Sequence, residues 1–162
     1  MRLRRWHATE GSDCHLSGDP VGCVLFFDGA CRGNPGPMGI GAVLLEKGKK
    51  VKEISKSLGK ETNNIAEWSA LIEGLKLAKT YGCRELEVRG DSQLIIRQIT
   101  GRYIVKSENL IPLYDEAKKL CRNFEKISFK WVQREKNADT DALSNRALDG
   151  GVKLDAIFGK FY

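Results

Sequence analysis

Residues 23 to 27, Cys-Val-Leu-Phe-Phe, form an apolar run without alternation that closes on Asp28-Gly29. A strand with one wet face alternates apolar and polar residues, whereas an uninterrupted run suits a central strand covered on both faces. This segment therefore demands a layered fold, with helices packed against a sheet. A helix is legible after Thr62-Asn63-Asn64, whose side chains can cap it: Ile65, Trp68, Leu71, Ile72, Leu75 and Ala78 recur at helical spacing up to Gly82. Between the two lie a loop from Ala30 to Pro37, a second apolar run from Ile40 to Leu45, a turn at Glu46 to Lys49 and a weakly patterned strand near Val51 to Leu58. Together with the first run they read as a meander.

Downstream the pattern predicts a strand at Leu86 to Gly90, a short helix from Gln93 to about Thr100 stopped by Gly101, and a helix from Asn109 to Leu120. An alternating strand at Lys126 to Trp131 and a last helix from Ala138 to Leu148, stopped by Gly150-Gly151, complete the order. The fold class is α/β: a mixed sheet with an antiparallel meander at one side and right-handed crossovers at the other. At 162 residues there is room for one core and short appendages. Residues 1–21 have no period and read as an irregular extension, 22–150 as the domain and 151–162 as a C-terminal tail.

No stretch approaches the roughly 20 apolar residues of a membrane span, and Arg2, Arg4 and Arg5 are not followed by the apolar core of a secretory signal. A cytoplasmic protein without a membrane partner is expected. The 27 basic residues against 21 acidic suit a polyanionic partner without demanding one. Cys14, Cys23, Cys31, Cys83 and Cys121 are odd in number and scattered, so no disulfide framework is expected; His7, Cys14, His15 and Cys23 match no zinc spacing.

Two of the expected strands end in an acid, Asp28 and Asp91. If those strands run parallel, both acids lie at the same carboxyl edge, where open sheets bind ligands. Glu67 falls about one turn into the long helix, on the polar side of its Ile65, Trp68 and Ile72 stripe, and Asp141 lies in the first turn of the last helix. Clustered carboxylates repel unless a cation neutralises them, and hard oxygen ligands suit Mg²⁺ or Mn²⁺. Each acid also has an ordinary role open to it: Asp28 in a turn, Asp91-Ser92 as a helix cap, Glu67 on a solvated face, Asp141 against the helix dipole.

Four local words, Phe27-Asp-Gly-Ala-Cys-Arg-Gly-Asn-Pro-Gly-Pro37, Thr62-Asn-Asn-Ile-Ala-Glu67, Asp91-Ser-Gln-Leu94 and Asn137 with Asp141-Ala-Leu-Ser-Asn145, occur in this order. Jointly they resemble type 1 ribonuclease H over about residues 22 to 150. The resemblance implies a five-stranded mixed sheet flanked by helices and endonucleolytic cleavage of the RNA strand in RNA/DNA hybrids, removing primers or R-loops, by a monomer. It implies Asp28, Glu67, Asp91 and Asp141 as ligands of two Mg²⁺ or Mn²⁺ ions. It implies hybrid contacts from Cys31 and from Asn34, Asn63, Asn64 and Gln93, the last four with amides that suit a 2′-hydroxyl, and a DNA-strand phosphate held near Thr62 and Lys60. Lys47, Lys49, Lys50, Lys52, Lys56 and Lys60 also read as the solvated face of an edge hairpin.

The chain departs from the family pattern in two places. Only residues 101–108 stand where some relatives insert a basic, Trp-rich helix, so weaker hybrid affinity is expected, and the loop between Trp131 and Asp141 has no histidine. Arg134 is the residue in that loop expected to serve electrostatically instead. A hybrid-binding module without catalysis, and another metal nuclease of the superfamily, are the competing functions.

Overall fold

A computed structural model describes residues 22–157, with side chains described through Asp149. The reading of residues 1–21 as an extension, and the set containing His7, Cys14 and His15, lie outside the described residues. The elements are β1 (Cys23–Cys31), β2 (Gly36–Glu46), β3 (Lys49–Glu61), α1 (Asn63–Tyr81), β4 (Glu85–Gly90), α2 (Gln93–Ile99), α3 (Ile111–Cys121), β5 (Lys126–Trp131) and α4 (Ala138–Ile157), with a 3-10 turn at Arg134–Asn137 before α4.

The five strands form one mixed sheet in the order β3-β2-β1-β4-β5. β1 pairs antiparallel with β2 and parallel with β4, β2 pairs antiparallel with β3, and β4 pairs parallel with β5. The apolar run of β1 is thus central, and Leu25 and Phe27 are fully buried. Trp68, Leu71 and Leu75 of α1 and Ile95, Ile96 and Ile99 of α2 pack into the same core. At the sheet's edge, β3 leaves Lys49, Lys50, Lys52, Lys56 and Lys60 exposed, as suits a strand that must not pair with another chain.

Four expectations are corrected. β1 does not end at Asp28-Gly29; it continues to Cys31, with Asp28 opposite Gly41 and Gly29 opposite Ile40. Gly29 serves a close approach instead of a turn, since a Cβ there would stand 2.3 Å from the Ala66 carbonyl oxygen. The meander strands are likewise longer than their apolar runs, because ladder hydrogen bonds continue through Gly36 to Pro37 and Lys60 to Glu61, where side-chain pattern is silent. α4 runs through Gly150-Gly151 to Ile157, as glycine costs a helix only about 1 kcal/mol and does not forbid it. Finally, Cys23 and Cys83 form a disulfide, their Cα atoms 6.0 Å apart. They are 60 residues apart in the chain, but α1 returns the backbone to the start of β1.

The ends of α1 fall where expected. Thr62 Oγ1 accepts from the Ile65 N–H at 3.4 Å, and Gly82, at φ 97°, donates its N–H to the Ala78 and Lys79 carbonyls.

Because the Gly29 clash is with backbone, Gly29→Ala is expected to destabilise the domain by about 2 kcal/mol. That is a fall in Tm of roughly 4 to 8 °C, read by thermal unfolding. An unchanged Tm would show that α1 can stand off from β1.

Candidate active site

Asp28 and Asp91 are brought together by the parallel pairing of β1 and β4. Phe27 is in register with Gly90, so the residues that follow each, Asp28 and Asp91, share the carboxyl edge of the sheet. The close approach at Gly29 then sets the height of α1. Ala66 lies against Gly29, and the next residue, Glu67, accepts the Gly29 N–H at its Oε1 at 3.3 Å. Glu67 is only 6% exposed, so the ordinary role open to it, on a solvated face, does not apply. The helix turns this flank onto the sheet edge because Gly29 carries no side chain to hold it away.

One carboxylate oxygen from each of Asp28, Glu67 and Asp91 lies within 4.8 Å of the others. Asp141, from the first turn of α4, lies outside that trio but close enough to help raise the pKa of both Asp28 and Glu67. Three of the four acids therefore meet, with Asp141 nearby. Asp28 is 3% exposed, and burial, followed by the charges of Glu67 and Asp91, raises its pKa from 3.8 to about 9. Burial and Asp91 raise Glu67 from 4.5 to about 8, against the opposing effects of the Gly29 N–H and of Arg134. Such a cluster, acceptor-rich and with two of its acids pushed up by burial and like charge, fits a hard divalent cation.

Three neighbours organise the cluster. Asn137, 1% exposed, donates from Nδ2 to the Phe27 carbonyl at 2.9 Å and to Asp91 Oδ2 at 3.0 Å. Its Oδ1 accepts from Thr140 Oγ1 at 2.5 Å, so the amide is fixed in one orientation. Asn137 thereby ties the last loop to both acid-bearing strands. The four-residue interval to Asp141 was visible in the sequence, but no local pattern reveals a bond to Asp91, 46 residues away. Trp131 Nε1 donates to the Asp91 carbonyl at 3.1 Å. Arg134 stands in the 3-10 turn, exposed, and its charge acts on Glu67.

The residues expected to touch substrate lie in the β1–β2 loop, at the end of β3 and at the starts of α1 and α2. Asn34 Oδ1 accepts the Asn63 N–H at 3.0 Å, joining the β1–β2 loop to the start of α1. Asn34, Asn63 and Asn64 are exposed there, with Lys60 at the end of β3 and Thr62 at the cap. Cys31 Sγ–H donates to the Gly33 and Glu61 carbonyls at 2.9 and 3.4 Å, which gives this thiol a bracing role in the loop. Gln93 is exposed at the start of α2, two residues past Asp91.

A family described as reverse transcriptase-like matches residues 26–147. Ribonuclease H of Pseudomonas entomophila is 34% identical over 145 residues, which cover 77% of this chain and 92% of that protein. The chain belongs to the ribonuclease H family. Ribonuclease HI of Halobacterium salinarum is 42% identical over 125 residues, 76% of this chain and 63% of that protein. A bifunctional protein of Mycobacterium tuberculosis is 39% identical over 135 residues; the match takes in 82% of this chain but 37% of that longer protein. Among solved ribonuclease H structures, that of Halobacterium salinarum RNase H1 superposes with a TM-score of 0.77 at 41% identity, covering 78% of this chain and 97% of the other. LC11-RNase H1 in complex with an RNA/DNA hybrid superposes with a TM-score of 0.76 at 38% identity, covering 80% and 99%. The five-stranded mixed sheet is the ribonuclease H fold.

The raised carboxyl groups have a measurable consequence. Between about pH 4 and 9 the folded chain holds protons on Asp28 and Glu67 that the unfolded chain releases, so their contribution to metal-free stability is lost as pH rises. A cation needs both groups ionised, so its binding displaces protons and tightens with pH. The rise in Tm on adding Mg²⁺ is therefore expected to be larger at about pH 8.5 than at about pH 6. A Mg²⁺ effect that shrinks with pH would place the cation elsewhere.

Proposed function

We propose that this chain is an endoribonuclease that hydrolyses the RNA strand of RNA/DNA hybrids, using two Mg²⁺ or Mn²⁺ ions. The observation that carries this reading is the meeting of Asp28, Glu67 and Asp91 within 4.8 Å, with Asp141 against Asp28, in a chain of the ribonuclease H family. Asp28, Glu67, Asp91 and Asp141 would hold the ions. When bound, such ions supply an activated water and neutralise the leaving oxygen.

The chain's own residues do the rest. Burial of Asp28 and Glu67 excludes water from the inner ligands, so charge interactions at the scissile phosphate are strong. Asn137 holds the Asp91 carboxylate in a single orientation. Asn34, Asn63, Asn64 and Gln93 offer amides that both donate and accept, which suits the 2′-hydroxyl; Cys31 shapes the loop carrying Asn34. Lys60 and Thr62 would take a phosphate of the DNA strand. Arg134 would face the phosphate as a fixed charge, because guanidinium cannot shuttle protons near neutral pH. Arg134→Ala is expected to lower turnover at saturating hybrid by roughly tenfold, about 1.4 kcal/mol. Partial recovery in Arg134→Lys would separate charge from fork geometry, and unchanged turnover in Arg134→Ala would remove Arg134 from the machinery.

The biological role that follows is removal of primers or R-loops by a cytoplasmic monomer. No helix among the described residues is long and apolar enough to cross a membrane. In a reducing cytoplasm the Cys23–Cys83 bond would be open to reduction. The deciding experiment is incubation of a strand-labelled hybrid with and without Mg²⁺ or Mn²⁺. Internal cuts confined to the RNA strand and dependent on metal are expected. Hybrid binding without cleavage would make the chain a binding module, and cleavage of branched DNA in preference to hybrid would make it another metal nuclease of the superfamily.

A further inference from the structure

Residues 92–107, which lead away from Asp91, contain Arg97, Arg102 and Lys106 and no Asp or Glu. Ile95, Ile96 and Ile99 commit one face of α2 to the core, while Gln93 and Leu94 face solvent. Arg97 is four residues from Gln93, hence on the same flank and about 6 Å further along the helix. Gly101, at φ 85°, turns the chain back, and the N–H groups of Arg102 and Tyr103 both donate to the Arg97 carbonyl, at 2.8 and 3.0 Å. That turn sets Tyr103 beside Arg97. The Arg97 Nη1 donates to the Tyr103 hydroxyl at 3.1 Å, and the guanidinium carbon is 5.6 Å from the ring centroid. The ring nevertheless stays 47% exposed.

Several surface cations are matched to acids, as in Lys50–Glu53, Lys56–Glu73 and Arg84–Glu125. Arg97 is held by an aromatic side chain instead, so its full charge is available. It is also preorganised: the ring restricts the guanidinium before any ligand arrives, which lowers the entropic cost of a contact. Lys106 lies further along the same acid-free segment. A guanidinium steadied by an exposed ring, one helical turn beyond a proposed substrate amide, matches a sugar–phosphate backbone in charge and spacing.

We propose that Arg97, steadied by Tyr103 and supported by Lys106, is a backbone-binding site for the hybrid as it leaves the carboxylate cluster along α2. The proposal rests on the hybrid-cleavage reading for its ligand. It also supplies affinity from a short segment where the absence of a basic insertion suggested a loss.

The test is fluorescence anisotropy of an end-labelled hybrid with the full chain in EDTA, where binding is read without cleavage, from about 0.05 to 0.2 M salt. Arg97→Ala is expected to weaken binding by roughly fivefold or more and to reduce the steepness of log K against log salt by about 0.9, the loss of one phosphate contact. Arg97→Lys should keep the salt slope. Tyr103→Ala should weaken binding while leaving the slope, because it removes organisation and not charge. Hybrids with neutral methylphosphonates in the RNA or the DNA strand identify the strand: the Arg97→Ala effect should vanish on one of them. An Arg97→Ala variant with parental Tm, affinity and slope overturns the proposal, as do an effect that persists on both neutralised hybrids and a parent chain that does not bind hybrid. A parent that binds through Arg97 yet cuts nothing when Mg²⁺ is restored would refute the enzymatic reading alone.

Discussion

Asp91→Asn is expected to reduce metal-dependent cleavage of a hybrid by about a thousandfold or more, equivalent to some 4 kcal/mol of transition-state stabilisation. The substitution is nearly isosteric, and the asparagine carbonyl can still accept from Asn137 Nδ2, so the bond between the last loop and β4 survives. What is lost is a charge beside Asp28 and Glu67. Asp91 raises the pKa of both, so the variant's metal-free fold should be no less stable than the parent's. The pair of outcomes is what discriminates: collapsed single-turnover cleavage at saturating metal together with an equal or higher Tm in EDTA. A folded variant that turns over near the parental rate would remove Asp91 from the metal site, and with it the reading of the cluster as catalytic.

Discrimination between substrates should be comparably large. A hybrid is expected to be cut at least about a hundredfold faster than duplex DNA of the same sequence at the same salt, since only the RNA strand presents the 2′-hydroxyl to the amides of Asn34, Asn63, Asn64 and Gln93. The argument is geometric as well as chemical. Asn34 accepts the Asn63 N–H, so the β1–β2 loop and the start of α1 move as one body and present their amides as a set. A rigid set of amides rejects a strand that leaves them unpaired, because an unmet buried polar group costs about 1 to 3 kcal/mol. Rates compared at matched salt keep the sequence-independent phosphate term constant. Equal rates on the two duplexes would show that the amides serve only as caps and loop braces.

The order of elements and the places of the four acids, near strand ends and early in helices, were legible in the sequence because each depends on something local. The unbroken run at Cys23 to Phe27 requires a central strand, the Ile65 to Ala78 stripe requires a helix between Thr62 and Gly82, and both outcomes stand. The family words added what spacing could not, since the convergence of Asp28 and Asp91 depends on two strands being parallel neighbours. The boundaries of β1 to β3 depart from the side-chain pattern for a physical reason: backbone ladders extend past the last apolar side chain.

What the sequence by itself determined, then, is which faces are apolar, where helices start and stop, and which residues can bear charge or accept a metal. The tertiary structure alone decided which of those faces meet. Glu67 looks like a solvated helix acid until Gly29 lets α1 come within contact of β1 and presses that carboxylate among two others. Asn137 looks like a loop amide until it bridges Phe27 and Asp91, and Tyr103 looks like a loop aromatic until Gly101 folds it beside Arg97. Cys23 and Cys83, far apart in the chain, become partners once α1 returns the backbone to the start of β1. Local pattern reports the preference of one segment for water or for protein; burial, shifted pKa values and bonds between distant residues come from the register and close approach of several segments at once.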